Sequence, residues 1–109
     1  MANTLTGKGY AITTSDLTAL TAGGSETITL IGVTIANIHA TTASWVTAEV
    51  KRSGVGAIDS KLAHQISIPI NDALDLLQGK VVLNAGDALW LDAEANSSLE
   101  ASLSYLVQT

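Results

Sequence analysis

The sequence contains no cysteine, no phenylalanine and a single proline, and its aromatic residues are two tryptophans and two tyrosines. Without cysteine there is neither a disulfide framework nor a thiolate metal site. A 109-residue chain is expected to form one domain spanning 1–109, and it must draw its stability from its core or from other chains. A domain of this size buries roughly two-thirds of the surface its unfolded form exposes, which leaves oligomerisation as the common remaining device. Basic residues are also few. Lys8, Lys51, Arg52, Lys61 and Lys80 are scattered, and against ten acidic residues they leave a net charge of −5. Phosphate backbones are repelled by such a balance, so no nucleic-acid partner is expected. No run approaches roughly 18 uninterrupted apolar residues, and Met1–Leu5 lacks the basic start and apolar stretch of a secretory leader. The expectation is a chain with no membrane partner, kept in a cytoplasm. Charged residues make up only 14 % of the chain, and serine and threonine are abundant. A surface of hydroxyls and small side chains suits packing against other protein.

What is present is period-two alternation. Leu99, Ala101, Leu103, Tyr105 and Val107 share one face of a closing strand, while Glu100, Ser102, Ser104 and Gln108 take the other. Leu62–Ile70 reads as a strand in which Leu62, Ile66, Ile68 and Ile70 line up with His64, and Pro69 marks an edge or an end. In Thr27–Ile38 the apolar phase shifts from Ile28 and Leu30 to Ile31, Val33 and Ile35, which a bulge near Gly32 or burial on both faces explains. Ser44–Arg52 places Val46, Ala48 and Val50 opposite Trp45, Thr47 and Glu49. Gly79–Leu83 and Ala88–Ala93, joined by Asn84–Asp87, read as a β-hairpin. Gly9–Thr13 is a further short strand, and only Asn71–Gln78 looks like a helical turn, with Asn71 or Asp72 as its cap and Gly79 as its stop. Seven or eight short strands predict an all-β chain, an antiparallel β-sandwich with a jelly roll as the favoured topology. Alternation alone does not separate a jelly roll from an immunoglobulin-like sandwich.

Chemistry is sparse. His39 and His64 belong to no spacing that aims two imidazoles at one metal. No G-x-S-x-G elbow announces a nucleophile, although composition alone does not exclude a Ser-His-Asp set. Gly54 and Gly56 lack the third glycine, the lysine and the following helix of a phosphate cradle. Asp72 and Asp75 read as the cap and a solvated residue of the helical turn. Gly86 and Asp87 read as a structural turn, Gly86 with positive φ and Asp87 accepting backbone amides. No catalytic residue, metal ligand or cofactor is therefore assigned. Trp45 and Trp90 are the candidate interface anchors, because Trp90 lies opposite Leu89 and Leu91 in parity and one of those faces must meet something other than this thin domain's own core.

In the second half, an Ile68-Pro69 step, a turn around Leu76-Leu77, Gly79-Lys80 with an aliphatic strand, and Ala85-Gly86-Asp87 leading into Ala88–Leu91 follow one another in order. Together with Gly32–Asn37 and the closing Ser104-Tyr105-Leu106, this pattern resembles small virion structural proteins of tailed bacteriophages, from about Ile28 to the C-terminus. The resemblance implies a jelly-roll or sandwich protein that decorates or cements the capsid, or sits in the neck or tail. It implies the major capsid protein or other virion proteins as partners and a particle assembled in a bacterial cytoplasm. Size and composition favour a homo-oligomer, a trimer first. Residues 1–21 match nothing in that pattern, which leaves open whether they form an extended arm that orders on a neighbouring subunit. Two readings from other classes stand beside it. A carbohydrate-binding module would need exposed aromatics among Trp45, Trp90, Tyr10 and Tyr105, and a cupin-type enzyme would need a histidine cluster.

Overall fold

The computed structural model describes residues 2–39, 41–54, 56–77 and 79–109. Its strands are β1 (Asn3–Ile12), β2 (Leu17–Thr21), β3 (Thr27–Asn37), β4 (Ser44–Lys51), β5 (Ser60–Ile68), β6 (Ala73–Asp75), β7 (Val81–Leu83), β8 (Ala88–Ala93) and β9 (Leu99–Gln108). They form two antiparallel sheets. One has the order β1-β9-β3-β6, with β7 also paired to β3, and the other has the order β2-β8-β4-β5. The order is that of a jelly roll. The pairs β1–β9, β2–β8, β3–β6/β7 and β4–β5 wind down the chain from its two ends towards the middle, falling in the two sheets by turns.

Alternation builds the core between the sheets. From the five-stranded sheet come Ile28, Leu30, Val33, Ile35, Leu83, Leu99 and Leu103, and from the four-stranded sheet Val46, Val50, Leu89 and Leu91, all buried. Strand β3 carries its expected bulge, a register shift between Leu30 and Gly32 in its pairing with β9. The extra residue, Ile31, points outward and is exposed, and Val33 and Ile35 return to the core. Strand β5 is less regular than its apolar spacing predicts. Ala63 and Ile68 are buried whereas Ile66 is exposed, because the register with β4 shifts twice and Gln65 takes a positive φ, reversing which parity faces inward.

Three expectations need correcting. The helical turn over Asn71–Gln78 is not seen: Ala73–Asp75 is strand β6 on β3, and Gln78 lies outside the described residues. A segment this short is below the length at which helix propagation offsets nucleation, and the edge of β3 offers it partners. The Leu76 amide donates to the Val33 carbonyl at 2.8 Å, and Asp75 Oδ1 accepts from the amides of Val33 and Leu77. The expected hairpin across Asn84–Asp87 is also absent, since β7 pairs with β3 in one sheet and β8 with β2 and β4 in the other. The turn is a crossing between sheets. Finally, residues 2–21 do not stand apart as an arm. Asn3–Ile12 pairs with β9 in unbroken register, and Leu17–Thr21 pairs with β8.

Candidate functional site

The four-stranded sheet presents its outer face through its two central strands. In β4, Val46, Ala48 and Val50 point inward, so Trp45, Thr47, Glu49 and Lys51 point outward. In β8, Leu89 and Leu91 are fully buried, which turns Trp90 and Asp92 outward. The register pairs Glu49 with Trp90 and Thr47 with Asp92. Both candidate anchors therefore lie on one face, each half-buried. Trp90 stands opposite Glu49, four residues along β4 from Trp45, about 14 Å at roughly 3.4 Å per residue.

The charges between them are ordered. Lys51 Nζ lies 5.0 Å from the centre of the Trp90 ring, within cation–π range. The same ammonium is 2.7 Å from Glu49 Oε1, and Lys61 on β5, directly across from Glu49, donates to its Oε2 at 3.0 Å. These hydrogen bonds from Lys51 and Lys61 hold the Glu49 carboxyl below its ordinary pKa, and the bond to Glu49 raises that of Lys51. Asp92 shows the opposite balance. Partial burial first, and then the neighbouring charge of Asp16, raise its pKa against the weaker pull of Lys61 and His64. The face thus consists of two indole platforms, a neutralised Glu49 and one carboxylate in mildly unfavourable surroundings. It can cover a flat apolar or ring-bearing surface and pair with an added cation beside Asp92.

The second predicted site, Gly86 and Asp87, is a structural lock. Gly86 has φ 86°, and a Cβ placed there would lie 2.5 Å from Ser53 Oγ. Asp87 is buried and accepts from Arg52 Nη1 at 2.8 Å and from the amides of Ser53 and Asn84, both at 3.0 Å. Burial raises its pKa, but the bonds from Arg52, Ser53 and Asn84 together outweigh it and leave the carboxyl below its ordinary value. The Gly86 amide donates to the Ala22 carbonyl and the Ala22 amide to the Asp87 carbonyl, so the crossing turn is also tied to the end of β2.

Other candidates stay apart. His39 Nδ1 accepts from the amides of Thr41 and Thr42 at 3.2 Å, a loop-closing role, while His64 is exposed on β5. Among the described residues no group of three or more His, Cys, Asp or Glu stands close enough to hold a metal ion. A shallow cavity of about 400 Å³ opens where β6 gives way to β7, lined by Leu62, Leu76, Leu77, Gly79, Lys80 and Val81. Of the tyrosines, Tyr105 is buried and the Tyr10 hydroxyl donates to the Ala19 carbonyl at 2.7 Å; neither joins the tryptophans. Reading the sequence missed the partners Lys51 and Arg52. Lys51 had a usable signal, since it shares strand parity with Trp45 and Glu49. Arg52 lies 35 residues from Asp87 and had none. Comparison with models of known protein families finds no match, and a search of curated proteins finds none either.

Proposed function

We propose that the chain is a structural protein of a bacteriophage particle, and most concretely a decoration protein that binds across joints between coat subunits. Two things support the reading: the ordered resemblance running from Ile28 to the C-terminus, and above all the placement of Trp45 and Trp90 on one outer sheet face. Large amphipathic rings on a rigid sheet are efficient anchors, because they bring contact area at little cost in conformational entropy. A cement protein needs no reacting group. It adds buried contact across existing joints, and many copies on one shell sum modest individual energies. Particles assembled without the protein should form normally but lose their DNA at lower temperature. Adding back purified protein should restore them, and the Trp45→Ala, Trp90→Ala double variant should not. Heads that stay equally robust while failing to join tails would move the protein to the neck or tail.

The same pair of tryptophans favours one second reading, a carbohydrate-binding face, since sugar rings stack on indoles that a sheet turns outward. Competable binding on a glycan array, lost in the double variant, would replace the decoration role by that one.

A further inference from the structure

We infer that strand β1 is the self-association edge of this protein, and that two copies join β1 to β1 in antiparallel register about a two-fold axis at Gly7. This goes beyond the virion reading and is tested without any particle.

The edges of the two sheets differ in how far they invite another strand. Strand β5 has two register shifts, a positive φ at Gln65 and Pro69 just beyond its end. Strand β2 has five residues and a shift, and β6 and β7 have three each. Short, bulged or proline-flanked edges of this kind discourage pairing. Strand β1 has none of these devices. It runs ten residues without proline or register shift, and its only charge is Lys8.

The direction of its free hydrogen-bonding groups follows from three contacts. The Ala2 carbonyl accepts from the Thr109 amide, and the carbonyls of Leu103 and Ala101 reach within 3.6 and 3.7 Å of where Cβ atoms on Gly7 and Gly9 would stand. Those carbonyls therefore point at β1, which makes Lys8–Leu103 and Tyr10–Ala101 hydrogen-bonded pairs. Even-numbered residues of β1 bond to β9, and the amides and carbonyls of Asn3, Leu5, Gly7, Gly9 and Ala11 face the open edge.

A two-fold axis at Gly7 pairs Gly7 with its copy, Leu5 with Gly9 and Asn3 with Ala11. Both halves then supply five facing pairs of two bonds each, about ten new N–H···O bonds. Centring the axis on Lys8 instead would set two ammonium groups directly opposite each other, and moving it toward the N-terminus shortens the ladder. The same register accounts for two features that the single chain does not explain. Gly7 and Gly9 lie in a strand, where glycine is destabilising, with no positive φ and only ordinary contacts around a Cβ. Leu5 on the same outer face is 72 % exposed. In the pair, each Leu5 side chain stands across from Gly9 of the other copy, where the missing side chain leaves backbone for the leucine to cover.

Sedimentation equilibrium on the purified full chain should give twice the 11.2 kDa of one chain, a dimer in place of the trimer favoured on size and composition. Gly7→Pro removes an amide that faces away from β9, so it should halve the mass while leaving the far-UV circular dichroism unchanged. Because the natural chain has no cysteine, Gly7→Cys reports the register independently of that variant. Cα atoms of a hydrogen-bonded pair stand about 5.5 Å apart, within the roughly 4.4–6.8 Å that a disulfide spans, so mild oxidation should link two chains. Ala11→Cys, about 27 Å from its own copy at roughly 3.4 Å per residue, should stay unlinked. A wild-type mass of one or three chains, a folded Gly7→Pro that remains dimeric, or linking through Cys at 11 rather than 7 would overturn the proposal.

Discussion

The two outer faces of the sandwich rest on one core and yet are built from different chemistry. Outward from the five-stranded sheet stand Gly7, Gly9, Ala11, Gly32, Thr34, Ser102 and Ser104, with apolar Leu5 across from Leu106. Outward from the four-stranded sheet stand Trp45, Trp90, Glu49, Lys51, Lys61 and Asp92, of which Glu49, Lys51, Lys61 and Trp90 are tied to one another by ion pairs and a cation–π contact. The first face makes few side-chain interactions within the chain, so its residues are free to serve another backbone. The second is braced around Trp90, whose ring Lys51 covers while itself held by Glu49. One fold can therefore offer an adaptable edge for its own kind and a rigid face for a different partner, and the two uses are separable by substitution.

The largest expected effect comes from releasing the turn that carries the chain from one sheet to the other. Asp87→Ala leaves the Ser53 and Asn84 amides without their acceptor and the Arg52 guanidinium with only the Val82 carbonyl, and it should cost roughly 2–4 kcal/mol, as removal of a buried charged acceptor does. Because the folded pKa of Asp87 is depressed, its contribution is present above the unfolded value, roughly 3.9, and is lost as pH falls through the folded one. Chemical denaturation at neutral pH and at pH 3 should show the gap between wild type and variant closing in acid. A constant gap would mean that the carboxylate charge plays no part. Gly86→Ala, strained by its positive φ and by Ser53, should cost about 1–2 kcal/mol with no such pH dependence.

Next in size is a direct contrast between the faces. Trp90→Ala strips a braced, half-buried ring and should cost about 1–2 kcal/mol, whereas Leu5→Ala on the other face should change monomer stability by less than about 0.5 kcal/mol. Thermal melts under dilute, monomeric conditions check both. Equal losses would dissolve the distinction between a braced and an adaptable face.

Much of the fold was legible because one face of each strand meets one core. Strands β4, β8 and β9 follow from parity alone, and the bulge in β3 from the phase shift around Gly32. The failures have a common cause, which is that local chemistry does not say where a strand finds its neighbour. Leu74, Leu76 and Leu77 have spacing that suits one turn of helix, yet the free edge of β3 captured the segment. Asn84–Asp87 has the residues of a hairpin turn, but nothing local shows that β7 and β8 join different sheets. Trp90 was expected on a face of its own, and parity sufficed for that. That Trp45 shares this face depends on the β4–β8 register, a long-range pairing that no short window of sequence contains.

The smallest expected effect probes a carboxylate on the braced face that has no ion-pair partner among the described residues. Asp92 sits between Asp16 and Glu49, partly withdrawn from water, and its pKa is raised in the folded chain. A carboxyl of this kind binds its proton more tightly folded than unfolded, so its unfavourable contribution is absent below the unfolded pKa and develops as pH rises through the folded one. Asp92→Asn should therefore stabilise the chain at neutral pH, by no more than about 0.5 kcal/mol for a residue this near the surface. The gain should vanish in acid, where wild-type Asp92 is itself neutral. It should also shrink at high salt, because part of its cause is repulsion between exposed charges. Denaturation midpoints at neutral pH and at pH 3, each at low and high salt, separate these contributions. A variant less stable than wild type at neutral pH would mean that Asp92 is paired rather than repelled, and the face would then be braced throughout.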